Sequence, residues 1–95
     1  MESFDIRKED GETGGRYVTV VDGHKAEMTY SKAGTSRIII DHTGVPKALG
    51  GRGVGVALVQ RAVEDARAAG LKIIPLCPFA KAQIEKHKEW QDVLA

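Results

Sequence analysis

The apolar positions of this chain change period near its middle. Up to His42 they alternate with polar ones, and from Val54 they recur every three or four residues. Phe4 and Ile6 alternate with Asp5 and Arg7 and predict a short first strand. The stretch Glu9 to Gly15 is polar and glycine-bearing and predicts a loop. Tyr17 to Val21 is β-branched and aromatic and predicts a second strand. Asp22-Gly23 is a hairpin signal before a third, Ala26 to Ser31, with Ala26, Met28 and Tyr30 on one face. After Ala33-Gly34, Ser36 to His42 carries Ile38-Ile39-Ile40, apolar on both faces as expected of a central strand.

The second half reads differently. Gly55, Leu58, Val59, Ala62, Val63 and Ala66 form the stripe of a core-facing helix over Val54 to Ala69, and Gly70 fits a left-handed C-cap. Lys72 to Leu76 predicts a short apolar strand. Pro75 lacks the N–H for a ladder bond, so pairing should be interrupted there. Phe79 to His87 predicts a second helix, and Trp90 and Val93 should pack the tail back on the rest. The order is β-β-β-β-α-β-α, an α/β arrangement with a mostly antiparallel mixed sheet. The Ile38 and Ile73 segments should be joined by a right-handed parallel crossover. At 95 residues the expectation is one domain spanning 1–95.

Composition narrows the function classes. The net charge is +1 with both signs scattered, which argues against nucleic acid as a partner. No apolar run approaches a membrane span, and Met1 to Asp5 lacks the basic-then-apolar pattern of a leader. The lone cysteine, Cys77, excludes an internal disulfide and suits a reducing compartment, with the cytoplasm as the expectation. No metal-ligand spacing is present, so no metal is expected.

The chemistry concentrates in Gly50-Gly51-Arg52-Gly53-Val54-Gly55-Val56-Ala57, between the central strand and the first helix. Glycines at a strand-to-helix junction let backbone N–H groups approach an anion, and a helix N-terminus adds unpaired donors and partial positive charge. A P-loop is excluded because Val56 and Ala57 stand where Lys and Ser/Thr are needed. A dinucleotide fingerprint fails in both registers, at Val56 and at Leu58.

Arg52-Gly53-Val54-Gly55-Val56-Ala57 resembles the pyrophosphate loop of the GNAT superfamily of acetyl-CoA-dependent N-acetyltransferases. Further segments extend the likeness from Tyr17 to Val93: Asp41-His42-Thr43-Gly44-Val45-Pro46, then Ile73-Ile74-Pro75-Leu76-Cys77-Pro78-Phe79, then Ile84-Glu85-Lys86-His87. Together they resemble the small Yjdj-type N-acetyltransferases, a minimal branch of that superfamily. Three positions depart from the branch: Gly50 stands in place of a frequent Arg, Gly44 in place of a frequent Glu, and Lys88 in place of Pro. The change at Gly44 removes one candidate general base.

The resemblance implies a compact GNAT-like fold and acetyl-CoA as cosubstrate, with an amine of unknown identity as acceptor. It places the pyrophosphate on Arg52, Gly53, Val54, Gly55, Val56 and Ala57, and the pantetheine along His42, Thr43, Gly44 and Val45. It makes Cys77 an acid or an acyl acceptor; the alternative is a buried inert thiol. His42 is the favoured base, because imidazole changes charge near neutrality; the alternative is a structural histidine. His24 reads as solvated, His87 as a helix-end cation and Tyr30 as a core or edge tyrosine. Asp41 and Glu27 read as paired or solvated strand residues. A monomer or weak dimer is expected, without membrane partners. The second function class is a coenzyme A-binding or acyl-CoA-sensing module with little or no catalysis.

Overall fold

A computed structural model describes residues 3–95; Met1 and Glu2, part of the stretch read for a leader, lie outside them. The described residues form strands β1 (Arg7–Asp10), β2 (Gly14–Val21), β3 (His24–Ala33), β4 (Arg37–Gly44) and β5 (Lys72–Pro75). The helices are α1 (Val54–Ala69) and α2 (Pro78–Lys86), and short 3-10 segments cover Lys47–Leu49 and Lys88–Val93. The sheet order is β1-β2-β3-β4-β5; the first three pairings are antiparallel and β4–β5 is parallel. This is the β-β-β-β-α-β-α order that the change of hydrophobic period predicts.

The helix stripe forms as its spacing requires. Val54, Gly55, Leu58, Val59, Ala62, Val63 and Ala66 are buried, and Gly70 closes α1 with φ 72° and its N–H on the Ala66 and Arg67 carbonyls. One hydrophobic cluster joins this stripe to Met28, Ile40 and Ile73 of the sheet and to Ala80 and Ile84 of α2. Both helices therefore cover one face of the sheet. The opposite face is polar: Arg16 pairs with Glu9 and Glu27, and Ser31 donates to Asp41. Trp90 and Val93 pack on the same core as expected, and the Ala95 N–H donates to the Ile73 carbonyl, covering the outer edge of β5.

The first strand differs from expectation. Phe4 and Ile6 pack against the core without pairing, and the strand runs over Arg7–Asp10, inside and just before the predicted loop. All four of its residues are exposed. A charged edge strand with no buried face carries no period-2 signal, and its charge protects the edge from adding further strands.

Ile39 and Ile40 separate the two faces of β4. Ile40 is fully buried in the cluster, and Ile39 is half-buried on the polar face. Ile40→Ala should destabilise by about 2–5 kcal/mol, and Ile39→Ala by clearly less. Urea midpoints at constant m would measure both. Equal losses would contradict the one-sided core.

Candidate functional site at the parting of β4 and β5

The central strand loses its parallel neighbour halfway along. β5 pairs with β4 only from Arg37 to Ile40, opposite Lys72 to Pro75. Pro75 has no N–H to continue the ladder, and the last link is the Cys77 N–H donating to the Ile40 carbonyl at 3.0 Å. Beyond it, His42 to Gly44 run on paired with β3 alone. A β-bulge falls at the same place: Thr29 pairs with His42 and Tyr30 with Ile40, leaving Asp41 as the extra residue. The bulge changes the parity of the strand. Thr43 stands opposite buried Met28, on the helix side with Ile40, and His42 stands opposite Thr29 on the polar side.

That change of parity brings Thr43 to Cys77. The thiol is the N-cap residue of α2, 5% exposed, and Thr43 Oγ1 lies 3.4 Å from its Sγ. Burial pushes the thiol up. Hydrogen bonds from the Thr43 hydroxyl and from the backbone N–H groups of Ala80, Phe79 and Thr43 outweigh burial and hold its pKa below the usual thiol value.

Next to the parting lies a cleft of about 400 Å³, walled by Val45, Pro46, Lys47, Val54, Gly55 and Phe79 and floored by the glycine loop. Gly51 and Gly53 both have φ 78°, a left-handed conformation that L side chains adopt at a cost. A Cβ at either meets nothing within 4 Å, so glycine there serves the backbone turn and leaves the floor clear. Gly55 differs: its Cβ would come 2.8 Å from the Phe79 ring. Gly53 caps α1 without a side-chain bond, and no acidic residue occupies the first turn. The first backbone bond is Ala57 N–H to the Gly53 carbonyl, so the N–H groups of Val54, Gly55 and Val56 have no partner among the described residues. An open floor, unspent donors and the positive end of a sixteen-residue helix fit an anionic group such as a pyrophosphate.

Five residues expected to bind cofactor, namely His42, Thr43, Gly44, Arg52 and Ala57, do not line this cleft. The first three belong to the parted edge of β4 beside it. The Arg52 guanidinium reaches the Asp22 carboxylate at 2.5 Å, across from the β2–β3 turn. Lys47 lines the cleft instead and supplies a cation there. Lys47, Gly51 and Phe79 were absent from the expected set. The signals available for them were Pro46-Lys47 ahead of the loop and the Pro78-Phe79 helix start.

Cys77 meets β4 on its helix side, at Thr43, whereas His42 faces the polar side, and no hydrogen bond joins the two among the described residues. His42 is exposed on β4, with Nε2 close to Gly44. The remaining candidates have structural partners. Tyr30 is buried and donates to Asp10, Glu27 pairs with Arg16, and Asp41 accepts from Ser31. His87 stacks on Trp90 with ring centroids 3.9 Å apart, and its Nδ1 contacts the Gln83 carbonyl. His24 is exposed at the start of β3. No group of three or more metal-ligating side chains gathers among the described residues, and no helix there is long and apolar enough to cross a membrane.

The donors around Sγ make a measurable prediction. Alkylation of Cys77 by iodoacetamide should rise to its plateau at lower pH than for an ordinary thiol. Thr43→Val removes one of the donors and should move that limb to higher pH. An unmoved limb in the folded variant would show that Thr43 does not act on the thiol.

Comparison with known proteins agrees with this geometry. Residues 16–93 match the family model of GCN5-related N-acetyl-transferases. The solution structure of a "GCN5-like putative N-acetyltransferase" from Staphylococcus aureus is similar to the chain. The TM-score is 0.73 at 41% identity, over 94% of this chain and 87% of that one. No curated protein matches the chain. The fold order, the glycine-bearing turn into α1 and the family match over most of the sequence lead to one statement: the chain belongs to the GCN5-related N-acetyltransferase family and is an acetyltransferase.

Proposed function

We propose that the chain works as one GNAT-like domain of the Yjdj type and moves the acetyl group of acetyl-CoA to a primary amine. The observation that carries this reading is the parting of β4 from β5 beside the glycine cleft, with Cys77 at the fork. Acetyl-CoA supplies a thioester, an acyl group activated for attack. The N–H groups of Val54, Gly55 and Val56 would hold its pyrophosphate, each dipole contact worth about 0.3–1 kcal/mol, with Lys47 adding charge. The freed backbone of His42, Thr43, Gly44 and Val45 would hold the pantetheine arm as an added strand.

The two catalytic candidates divide the work by side. Hydrogen-bond donors surround Cys77 Sγ, and a cage of donors serves an anionic nucleophile better than a proton donor. Cys77 therefore fits the role of acyl acceptor: Sγ bonds to the acetyl carbon as the cosubstrate thiolate leaves, and Sγ leaves in turn when the amine attacks. His42, on the polar face, would take the amine proton. The acceptor then approaches from the face that no helix covers.

Three measurements test this. Gly53→Val puts a side chain into the open floor of the cleft, where a ligand would have to overpack against it, and should weaken acetyl-CoA binding by about 1–3 kcal/mol in a folded variant. Unchanged calorimetric affinity would remove the loop from the binding site. Incubation with acetyl-CoA and no amine should add the mass of one acetyl group to Cys77 in wild type and none in Cys77→Ala. An unmodified cysteine with full amine turnover would mean direct transfer, with Cys77 outside the covalent path. His42→Gln should flatten the ascending limb of the kcat/KM pH profile that stays fixed when two amines of different pKa are compared. An identical profile for variant and wild type on both amines would return His42 to a structural role. Tight acetyl-CoA binding with no thiol release on any amine would favour the second reading, an acyl-CoA-sensing module.

A further inference from the structure

A second recess of about 400 Å³ lies at the other end of the sheet, at the start of β4 and the last turns of α1. Its size falls within the range of small-molecule sites, about 300–1,000 Å³. Arg37 on its rim is six positions before Thr43 on β4, so it lies roughly 20 Å from the fork by strand rise. The recess is separate from the cleft at the glycine loop.

Its walls are Tyr17 and Tyr30, whose ring centroids are 5.6 Å apart, and its floor is Ile38, Ala66 and Leu71. Both phenols are held well above their usual titration range, by burial first and then by the carboxylate each one bonds. They stay neutral. Both carboxylates in the recess are already engaged. Asp65 accepts from Tyr17 at 2.9 Å and faces Arg61 at 3.3 Å; Asp10 accepts from Tyr30 and, at 2.9 Å, from Lys32.

The cations are not all engaged. Lys8 Nζ sits 5.8 Å from both tyrosine centroids, and neither Lys8 nor Arg37 has a carboxylate within ion-pair distance among the described residues. Lys8, Lys32, Arg37 and Arg61 against Asp10 and Asp65 leave two positive charges in excess. The recess therefore suits an anion. α1 presents its carbonyl end here, which penalises a doubly charged phosphate more than a singly charged carboxylate. The Gly70 and Leu71 N–H groups are also already used on α1 carbonyls.

We propose that this recess is a second binding site, selective for a small organic molecule with one carboxylate and a compact apolar body. Lys8 and Arg37 receive the carboxylate. The body lies against Tyr17, Tyr30, Ala66 and Leu71. The site stands independently of the coenzyme A reading.

Phenylacetate is the probe, and neutral phenylacetamide is its control, in amide NMR titrations of the labelled wild-type protein. Phenylacetate should shift the amides of Lys8, Lys32, Ala66 and Leu71 and leave Gly51 to Val56 in place. Phenylacetamide should bind at least tenfold more weakly. Lys8→Gln combined with Arg37→Gln should keep a dispersed spectrum and lose at least tenfold of the phenylacetate affinity. Lys8→Gln alone, the milder change, serves if the double variant does not fold, and should lose affinity in the same direction. No shift at the recess below about 10 mM, a range of only a few kcal/mol, would overturn the proposal. Equal affinity for acid and amide, or an affinity untouched by the substitutions, would overturn it as well.

Discussion

The arrangement depends on where β4 and β5 stop being neighbours. Four pairs, from Arg37–Lys72 to Ile40–Pro75, hold them together, and then a proline without an N–H and a one-residue bulge at Asp41 end the pairing from both sides. The Cys77 N–H on the Ile40 carbonyl fixes the vertex of the fork. From that vertex β5 turns into α2, and β4 continues with its outer backbone uncovered. A continuous ladder would close the gap and leave no edge for a ligand. It would also keep strict alternation, with Thr43 on the polar face and away from the thiol.

The core supports this opening from one side only. α1 crosses from the end of β4 back to the start of β5, and its buried stripe, with Ile84 and Ala80 of α2, fills the space beneath the sheet. Gly55 and Phe79 bring the first turns of the two helices together beside the cleft. The uncovered donors of α1 and the donor-capped thiol of α2 therefore lie near one another, because both helices begin at the fork. One packed face provides the core, and the other face of the sheet stays polar.

Much of this was legible in the chain. The three-and-four spacing from Gly55 to Ala66 gave α1 its bounds, and Pro75 marked the end of β5 pairing. What escaped was set by partners distant in sequence. Arg7 to Asp10 look like a loop because an exposed edge strand buries neither face. Strict alternation from Ile40 would put Thr43 on the opposite face; the bulge changes that parity, and no local residue pattern announces it. Gly53 reads as a position kept open for a ligand, and its left-handed φ adds a requirement of the chain itself. The Arg52 guanidinium also meets Asp22, thirty residues away, a contact the glycine loop does not announce. The tyrosine recess draws on β1 through β4 and the end of α1, so no single segment displays it.

Hydrogen exchange on the labelled protein, with and without coenzyme A, tests the central claim most directly. The account predicts that amides on the outer edge of β4 between His42 and Val45 exchange freely in the free protein. They should become protected on binding, together with those of Val54, Gly55 and Val56. Protection that leaves both segments unchanged while coenzyme A binds elsewhere would contradict it.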